Sequence, residues 1–328
     1  MSPRILVTGA AGFIGSHVAE ALVGRGDAVI GLDNFDPFYP RALKERNLET
    51  LRAARGFRFV EADIVRHAVP LDDVAVVVHL AARPGVAPSL ENPAGYVEVN
   101  VTGTTRVLDA ARRAGVGRVV FGSSSSVYGD ATPAPFAETA PAVTPISPYA
   151  ATKRAGELLA ACFAHLYGSR IACLRFFTVY GPRQRPDLAI HRFTDRIARG
   201  LPVGQRGDGS SERDYTYISD AVQGVLAAVD WTGAEGGGAR GAGTGACEAF
   251  NIGGGARVRL DRLLGLIAQA LGKTPVVEHL ADQPGDVRRT AADLGRAQAT
   301  LGYRPTVGIE EGIRQFVRWY EATHGRQS

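Results

Sequence analysis

Tyr149 and Lys153 stand four residues apart in Tyr149-Ala150-Ala151-Thr152-Lys153. On a helix that spacing puts a phenol and an amine on one face. An ammonium beside a phenol favours the phenolate and draws its pKa down from about 10. The product is a base able to take a proton from a hydroxyl. Pro148 suits the first position of a helix, so the pair falls in its first two turns. Upstream, Ser123, Ser124, Ser125 and Ser126 follow a β-branched run. At the end of a strand, their hydroxyls can hydrogen-bond a reacting oxygen. The plainer alternatives are a surface Tyr/Lys pair and a polar turn.

A second chemistry-bearing stretch opens the chain. Gly9-Ala10-Ala11-Gly12-Phe13-Ile14-Gly15 lies between an apolar run, Ile5 to Val7, and an amphipathic one. Glycines in a strand-to-helix turn let backbone approach a pyrophosphate, and the helix N-terminus stabilises its charge. With 40 glycines in the chain, the spacing alone is weak and the context carries it. Asp33 ends the next apolar run. A carboxylate there accepts from both ribose hydroxyls and repels a 2′-phosphate, which favours NAD over NADP. The positive nicotinamide of oxidised NAD would further favour a Tyr149 phenolate. Asn34, Asp63 and Ile64, Leu80-Ala81-Ala82, Asn100, Ser123 and Phe176 fall at or near the ends of later elements. With Gly9, Gly12, Phe13, Ile14, Gly15 and Asp33 they form the expected cofactor edge of an open sheet.

The elements that must position these groups alternate strand and helix. Strands are expected at 5–7, 28–32, 57–60, 74–80, 116–121 and 171–176. Helices are expected at 13–23, 96–114 and 149–166, with a polar, aromatic stretch from Asp33 to Arg46 running into a helix that ends at Ala54. Such alternation predicts an α/β fold, a doubly wound parallel sheet covered on both faces. After about residue 177 segments shorten and Gly and Pro increase. A strand at 213–217, a helix at 219–229, a glycine-rich surface loop at 233–245, a strand at 250–252 and helices at 260–271 and 307–320 are expected there. The predicted division is 1–176 plus about 214–250 for the dinucleotide domain, and 177–213 plus about 251–328 for a smaller C-terminal α/β substrate domain.

Length and composition set outer bounds. The chain has 328 residues, 45% of them hydrophobic and 21% charged, enough for a sizeable core and unlike a disordered chain. The net charge of +4 comes from 37 basic residues, of which only Lys44, Lys153 and Lys273 are lysines. No basic run tracks a nucleic-acid backbone, so no nucleic-acid partner is expected. Cys162, Cys173 and Cys247 form no CxxC, and the seven histidines form no ligand pair; free thiols, no metal and a cytoplasmic location are expected. No apolar run approaches the roughly 20 residues of a membrane helix, and the N-terminus has no signal-peptide pattern.

In sequence order, Thr8 to Gly15, His79-Leu80-Ala81-Ala82, Ser123 to Gly129, Tyr149-x3-Lys153, Arg175 to Pro182 and Arg213 to Tyr217 resemble an extended short-chain dehydrogenase/reductase acting on nucleotide sugars. That resemblance covers nearly the whole chain. It implies a Rossmann-type fold, a tightly held NAD, a nucleoside diphosphate sugar as substrate, and a homodimer through the helices near 96–114 and 149–167. Carried over, Ser124, Tyr149 and Lys153 are the catalytic triad, Arg213 holds the diphosphate and Asp286 lies near the uridine ribose. The 4,6-dehydratases of the family carry an Asp-Glu pair before Val-Tyr-Gly, and the decarboxylases a Glu; here Ser125 and Ser126 stand there. Without that added acid/base, epimerisation is the expected reaction. Among the epimerases the marks at Leu32 to Lys44, Ser123 to Gly129, Phe176 to Pro182, Arg185-Pro186-Asp187 and Gln283 to Val287 resemble those acting at C4 of UDP-glucuronic acid. Ser125, Ser126 and Thr178 would then clamp a carboxylate, with Gly85 and Arg185 as further substrate contacts. Ala87 departs from an Arg expected after Gly85-Val86. UDP-glucose/UDP-galactose exchange stays an alternative, as do a ketosugar reductase with the same Tyr/Lys pair and a non-catalytic NAD sensor.

Overall fold

A computed structural model describes residues 4–234, 245–281 and 289–325. In chain order the first part comprises β1 (Arg4–Thr8), α1 (Phe13–Gly24), β2 (Ala28–Asp33), α2 (Arg41–Ala53), β3 (Phe57–Glu61), β4 (Val74–His79), α3 (Val86–Glu91), α4 (Pro93–Val97), a π-helical segment (Glu98–Gly103), α5 (Thr104–Arg113), β5 (Arg118–Ser124), a 3₁₀ turn (Ser125–Tyr128), α6 (Pro148–Tyr167) and β6 (Arg170–Phe176). The second part comprises β7 (Thr178–Tyr180), α7 (Ala189–Ala198), β8 (Val203–Arg206), β9 (Glu212–Tyr217), α8 (Ile218–Trp231), β10 (Ala246–Ile252), β11 (Arg257–Arg259), α9 (Leu260–Leu271), β12 (Val277–Leu280), α10 (Gly295–Leu301) and α11 (Ile309–His324).

Seven strands form the main sheet in the order β10-β6-β5-β4-β1-β2-β3, every pair parallel. The order reverses at β1/β4, where a doubly wound sheet leaves a ligand crevice at its strand ends. Both faces are covered by apolar side chains. Val18, Ala19 and Leu22 of α1 are buried with Val225 of α8 on one side. Val107, Leu108 and Ala111 of α5 are buried with Ala160 and Ala164 of α6 on the other. Two small sheets lie outside it: β7-β9-β11, and β8 with β12. β9 therefore belongs to the small sheet although it falls in the stretch 214–250, while β10 runs in the main sheet to Ile252.

Local chemistry fixes the helix that carries the Tyr/Lys pair. The Ser147 hydroxyl caps it by accepting from the Ala150 N–H at 3.2 Å, and Pro148 occupies the first turn. Gly168, with φ of 69°, closes its other end in the left-handed form that glycine adopts without strain. Three expectations need correction. The helix after β2 begins at Arg41, not beyond Arg46, because Pro40 presets the entry to a helix. The single helix expected from 96 to 114 is α4, a π-helical segment and α5. The segments α3, β7, α7, β8, β11, β12 and α10 were not anticipated: the strands have only three or four residues, too few to show a period.

Candidate active site

The turn after β1 is built only for glycine. Gly9 has φ of +73°, and a Cβ on it would sit 2.9 Å from the Ala81 backbone nitrogen. A Cβ on Gly15 would lie 2.1 Å from the Gly9 carbonyl oxygen. Side chains are thereby excluded from both faces of the turn, and no side chain caps α1 at Gly12. Its first N–H groups face a cleft of about 530 Å³ lined by Gly9, Gly12, Phe13, Ile14 and Gly15. Free N–H donors and a helix N-terminus at one point favour an anion.

At the end of β2, the Asp33 carboxylate accepts from the N–H of Ala11 at 3.2 Å and of Phe35 at 2.8 Å. Burial pushes its carboxyl up, opposed by the nearby Lys44 ammonium and these two donors. Asn34 donates to Asp63 at 2.8 Å. Burial raises the Asp63 carboxyl, but hydrogen bonds from Val65, Asn34 and Arg66 together bring it below the usual value. Asp33, Asn34, Asp63 and Ile64 all line the cleft. So do Lys44, Tyr39 and Arg83, which sequence reasoning did not select. Lys44 is buried, donates to the Asp36 carbonyl at 2.7 Å and lies 4.7 Å from the Tyr39 ring centre. Its one signal in the sequence was rarity, being one of three lysines.

The floor of the cleft is held from behind. His79, at the end of β4, shares one hydrogen bond with Thr8 at 2.7 Å and another with Thr104 at 3.0 Å. Burial pushes its pKa down to about 3, so the ring is neutral. The Thr8 hydroxyl also accepts from the Ala81 N–H at 3.2 Å, which fixes Leu80, Ala81 and Ala82 along the cleft. Asn100 lies outside the lining. Its amide accepts from the Arg83 N–H at 2.7 Å and donates to the Arg83 carbonyl at 3.0 Å and to the Thr152 hydroxyl at 3.1 Å. Asn100 thus holds the loop that lines the cleft, and the π-helical widening presents it there.

The far end of the cleft collects Ser123, Ser124, Ser125 and Ser126 with Tyr149, Lys153 and Phe176. Ser124 donates to the Ser126 hydroxyl at 3.1 Å and accepts the Ser126 N–H at 3.2 Å. Ser123 instead donates away from the cleft, to Glu157 at 2.6 Å. The Lys153 ammonium donates to the Gly122 carbonyl at 2.7 Å. Burial lowers its pKa to about 8, against the opposing charge of Glu157. Burial also raises the Tyr149 phenol; a hydrogen bond from Ser124 and the charge of Arg185 oppose it. Lys153 is not among the groups that lower the Tyr149 phenol, and burial decides its direction in the free protein. A phenolate here needs a further positive charge in the cleft.

The substrate-facing candidates divide. Gly85, Thr178 and Arg185 line the cleft. Arg185 grips Asp187 through two bonds of 3.0 and 2.9 Å and lies 5.5 Å from the Phe38 ring centre. Arg213 does not line it, donating instead to the Glu212 carbonyl at 3.1 Å. Asp286 lies outside the described residues. Ala87 also lines the cleft, with no cation at that point. Among the described residues no group of three or more His, Cys, Asp or Glu gathers as for a metal. No described helix is long and apolar enough to cross a membrane.

Comparison with known proteins agrees with this geometry. The UDP-glucuronate 4-epimerase of Thermodesulfobacterium geofontis (strain OPF15) is 39% identical over 320 residues, 96% of this chain and 95% of that protein. UDP-glucuronate 4-epimerase 1 of Arabidopsis thaliana is 41% identical over 98% of this chain and 77% of its own length. The crystal structure of the UDP-glucuronic acid 4-epimerase of Bacillus cereus, in complex with UDP-glucuronic acid and NAD, superposes with a TM-score of 0.89. It is 34% identical and covers 98% of this chain and 100% of that one. DesIV, a dTDP-glucose 4,6-dehydratase of Streptomyces venezuelae with NAD bound, superposes with a TM-score of 0.88 at 34% identity, covering 98% of each chain. The model of the NAD dependent epimerase/dehydratase family matches residues 5–253, and the chain belongs to that family.

Proposed function

We propose that this chain is an NAD-dependent 4-epimerase of a UDP-sugar and that it interconverts UDP-glucuronate and UDP-galacturonate. The observation that carries the proposal is the far end of the cleft. Ser124, Tyr149 and Lys153 meet there beside the hydroxyls of Ser125, Ser126 and Thr178, and no carboxylate replaces a serine in Ser123 to Ser126. Elimination of water needs such an added acid/base, whereas epimerisation needs one base and room for the sugar to turn. The glycine turn, the uncapped end of α1 and Asp33 fit a dinucleotide without a 2′-phosphate. NAD, when bound, supplies a hydride acceptor that is regenerated in each cycle, and its positive ring supplies the charge that Tyr149 lacks.

The chain's own residues handle protons and orientation. Tyr149, ionised, takes the proton of the sugar 4-hydroxyl as that carbon is oxidised. Ser124 supports the oxygen by a hydrogen bond. Lys153 holds positive charge beside the cleft. The keto sugar swings about its phosphate link, is reduced from its opposite face and regains its proton from Tyr149, so the 4-hydroxyl is inverted. For a glucuronate the intermediate is a β-keto acid, prone to lose carbon dioxide when its carboxylate aligns with the ketone. Hydroxyls of Ser125, Ser126 and Thr178 suit an orientation that prevents this. A Thr178→Ala variant tests that clamp: it releases UDP-pentose as a side product. Full epimerase rate with no UDP-pentose refutes the clamp. The same three neutral hydroxyls also suit a hydroxymethyl group, which keeps UDP-glucose/UDP-galactose exchange as the second reading.

The lobe of 177–213 and about 251–328 is proposed to grip the nucleotide, with Arg213 as a contact for the diphosphate. A homodimer is proposed through the helical stretch 96–114 and α6, where Val97 is 49% exposed and Leu158 and Leu166 of α6 are 52% and 57% exposed. Apolar side chains so arrayed on adjacent helices suit a self-complementary contact. Three free cysteines support a reducing, cytoplasmic setting. A net reductase would need its cofactor replenished. Turnover of many equivalents of sugar by protein carrying only its own bound NAD supports epimerisation; a single turnover supports the reductase.

A further inference from the structure

Asn251, near the end of the edge strand β10, is completely buried, and its amide joins three segments of the chain. The amide nitrogen donates to the Phe136 carbonyl at 2.7 Å and to the Asp293 carbonyl at 3.0 Å. Carbonyls only accept, so this pair fixes the orientation of the amide and turns its oxygen to the Tyr128 hydroxyl, which donates at 2.7 Å. The Asn251 backbone N–H donates to Glu138 at 2.8 Å, so the chain near 136–138 covers β10 at its open edge. A buried amide is costly unless its polar atoms are matched; once matched, it specifies one arrangement. The arrangement specified here spans the site. Tyr128, also completely buried, ends the 3₁₀ turn that carries Ser125 and Ser126. Its ring lies 4.9 Å from the Phe136 ring and 4.7 Å from the Arg175 guanidinium. Asp293 ends the segment 289–293, which is bound in turn to β9, the strand that carries Arg213. There the Thr290 N–H donates to the Glu212 carbonyl at 3.1 Å and the Ala292 N–H to the Asp214 carboxylate at 3.0 Å.

We propose that Asn251 is a positioning residue: it ties the serine turn at the sugar end of the cleft to the 289–293 segment beside β9, and so sets where the Ser125 and Ser126 hydroxyls stand. The role rests on the reading of those serines as substrate contacts. The turn's own hydrogen bonds are local. Ser126 N–H donates to Ser124 at 3.2 Å and Gly129 N–H to the Ser126 carbonyl at 3.3 Å; they fix the shape of the turn but not its place. The apolar packing of Val127 with Phe136 and Phe177 is non-directional. The Tyr128–Asn251 bond is directional, and it acts two residues from Ser126. Through Asn251 it refers the turn to β10, to the chain at Phe136 and to Asp293 at once.

The test separates turnover from binding and from folding. Tyr128→Phe removes the hydroxyl and keeps the ring. It is expected to lower kcat by about tenfold or more, within the roughly 10²-fold that a misplacement of about 1 Å can cost. Its calorimetric affinity for UDP is expected to stay within about twofold of wild type. Asn251→Ala lowers kcat at least as far, and adding Tyr128→Phe to it costs nothing further, because both remove the same link. Hydrogen–deuterium exchange of the 123–129 peptide, which needs no turnover, is faster in each variant. If Asn251→Ala fails to fold, Tyr128→Phe decides on kcat and exchange. A folded Tyr128→Phe with wild-type kcat overturns the inference even if it melts at a lower temperature, since the bond then serves stability only. Additive losses in the double variant overturn it as well. Wild-type protein inert toward UDP-sugars overturns the proposed function instead, and unchanged exchange of 123–129 in Tyr128→Phe overturns this inference separately.

Discussion

Gly15→Ala is the sharpest probe of the dinucleotide turn. The added methyl would lie 2.1 Å from the Gly9 carbonyl oxygen and 2.8 Å from its carbon. Relieving that contact requires the start of α1 to move away from the turn by about 1 Å, since carbon and oxygen cannot approach much below van der Waals distance. α1 resists, because Val18, Ala19 and Leu22 are completely buried. Overpacking of this kind costs about 1–3 kcal/mol. The N–H groups of Phe13, Ile14 and Gly15 are displaced with the helix end, and the same range applied to NAD binding is a loss of roughly 5- to 150-fold. Calorimetric titration of NAD-free protein with NAD, alongside thermal unfolding, measures both. Gly24→Ala, at the other end of the same helix, meets nothing within 4 Å and is expected to change stability by less than about 1 kcal/mol. Wild-type NAD affinity in Gly15→Ala would refute the argument that this turn cradles the pyrophosphate.

Other predictions follow from single side chains. Tyr149→Phe retains NAD and its melting temperature but loses about 10²–10⁴-fold in turnover; a loss below tenfold removes Tyr149 from the proton path. Asp33→Asn removes the charge that repels a 2′-phosphate, so the ratio of NAD to NADP affinity falls by about tenfold or more, some 1.4 kcal/mol; competitive calorimetry with the two cofactors decides it. Asp214 accepts backbone N–H bonds from Gly254 at 2.6 Å and Ala292 at 3.0 Å, yet burial pushes its carboxyl up to about 6. Its folded pKa exceeds the unfolded one, so the folded chain binds more protons between about pH 4 and 6. This group's contribution to stability therefore rises as pH falls through 6 and is complete below about 4, worth about 3 kcal/mol. Urea midpoints at pH 7 and 4.5 should show wild type gaining on Asp214→Asn at the lower pH; parallel changes in the two proteins would contradict the assignment.

Much of the site was legible because its parts are local. A glycine turn, the residue ending the next strand, and two residues one helical turn apart are fixed by spacing within single elements. The six leading strands were legible for the same reason, each being a short run rich in apolar residues, several of them β-branched. What escaped depends on contacts between distant segments. Glu157 meets Arg175 and Ser123 only because α6 packs on β5 and β6. Lys44 reaches the cleft because α2 begins at Arg41 and turns it under the aromatic stretch that precedes. The order of Asn100 in the chain points to the cofactor edge, but not to the bonds its amide makes with the distant Arg83 backbone, where the π-helical segment presents it. Spacing places Tyr149 and Lys153 on one helix face but does not show how deeply both are buried, which raises the phenol and lowers the ammonium in the free protein. Short strands such as β7 and β11, of three residues each, exist only through their pairing with β9.

The central claim is chemical and is tested by one spectrum. The purified protein is incubated with UDP-glucuronate, and separately with UDP-glucose, without added reductant, and the anomeric proton is followed by NMR. The account predicts a UDP-galacturonate signal growing to equilibrium in the first tube and no change in the second. UDP-galactose in the second tube alone would contradict the carboxylate reading of Ser125, Ser126 and Thr178. An unchanged spectrum in both, with NAD bound, would contradict 4-epimerisation of these UDP-sugars itself.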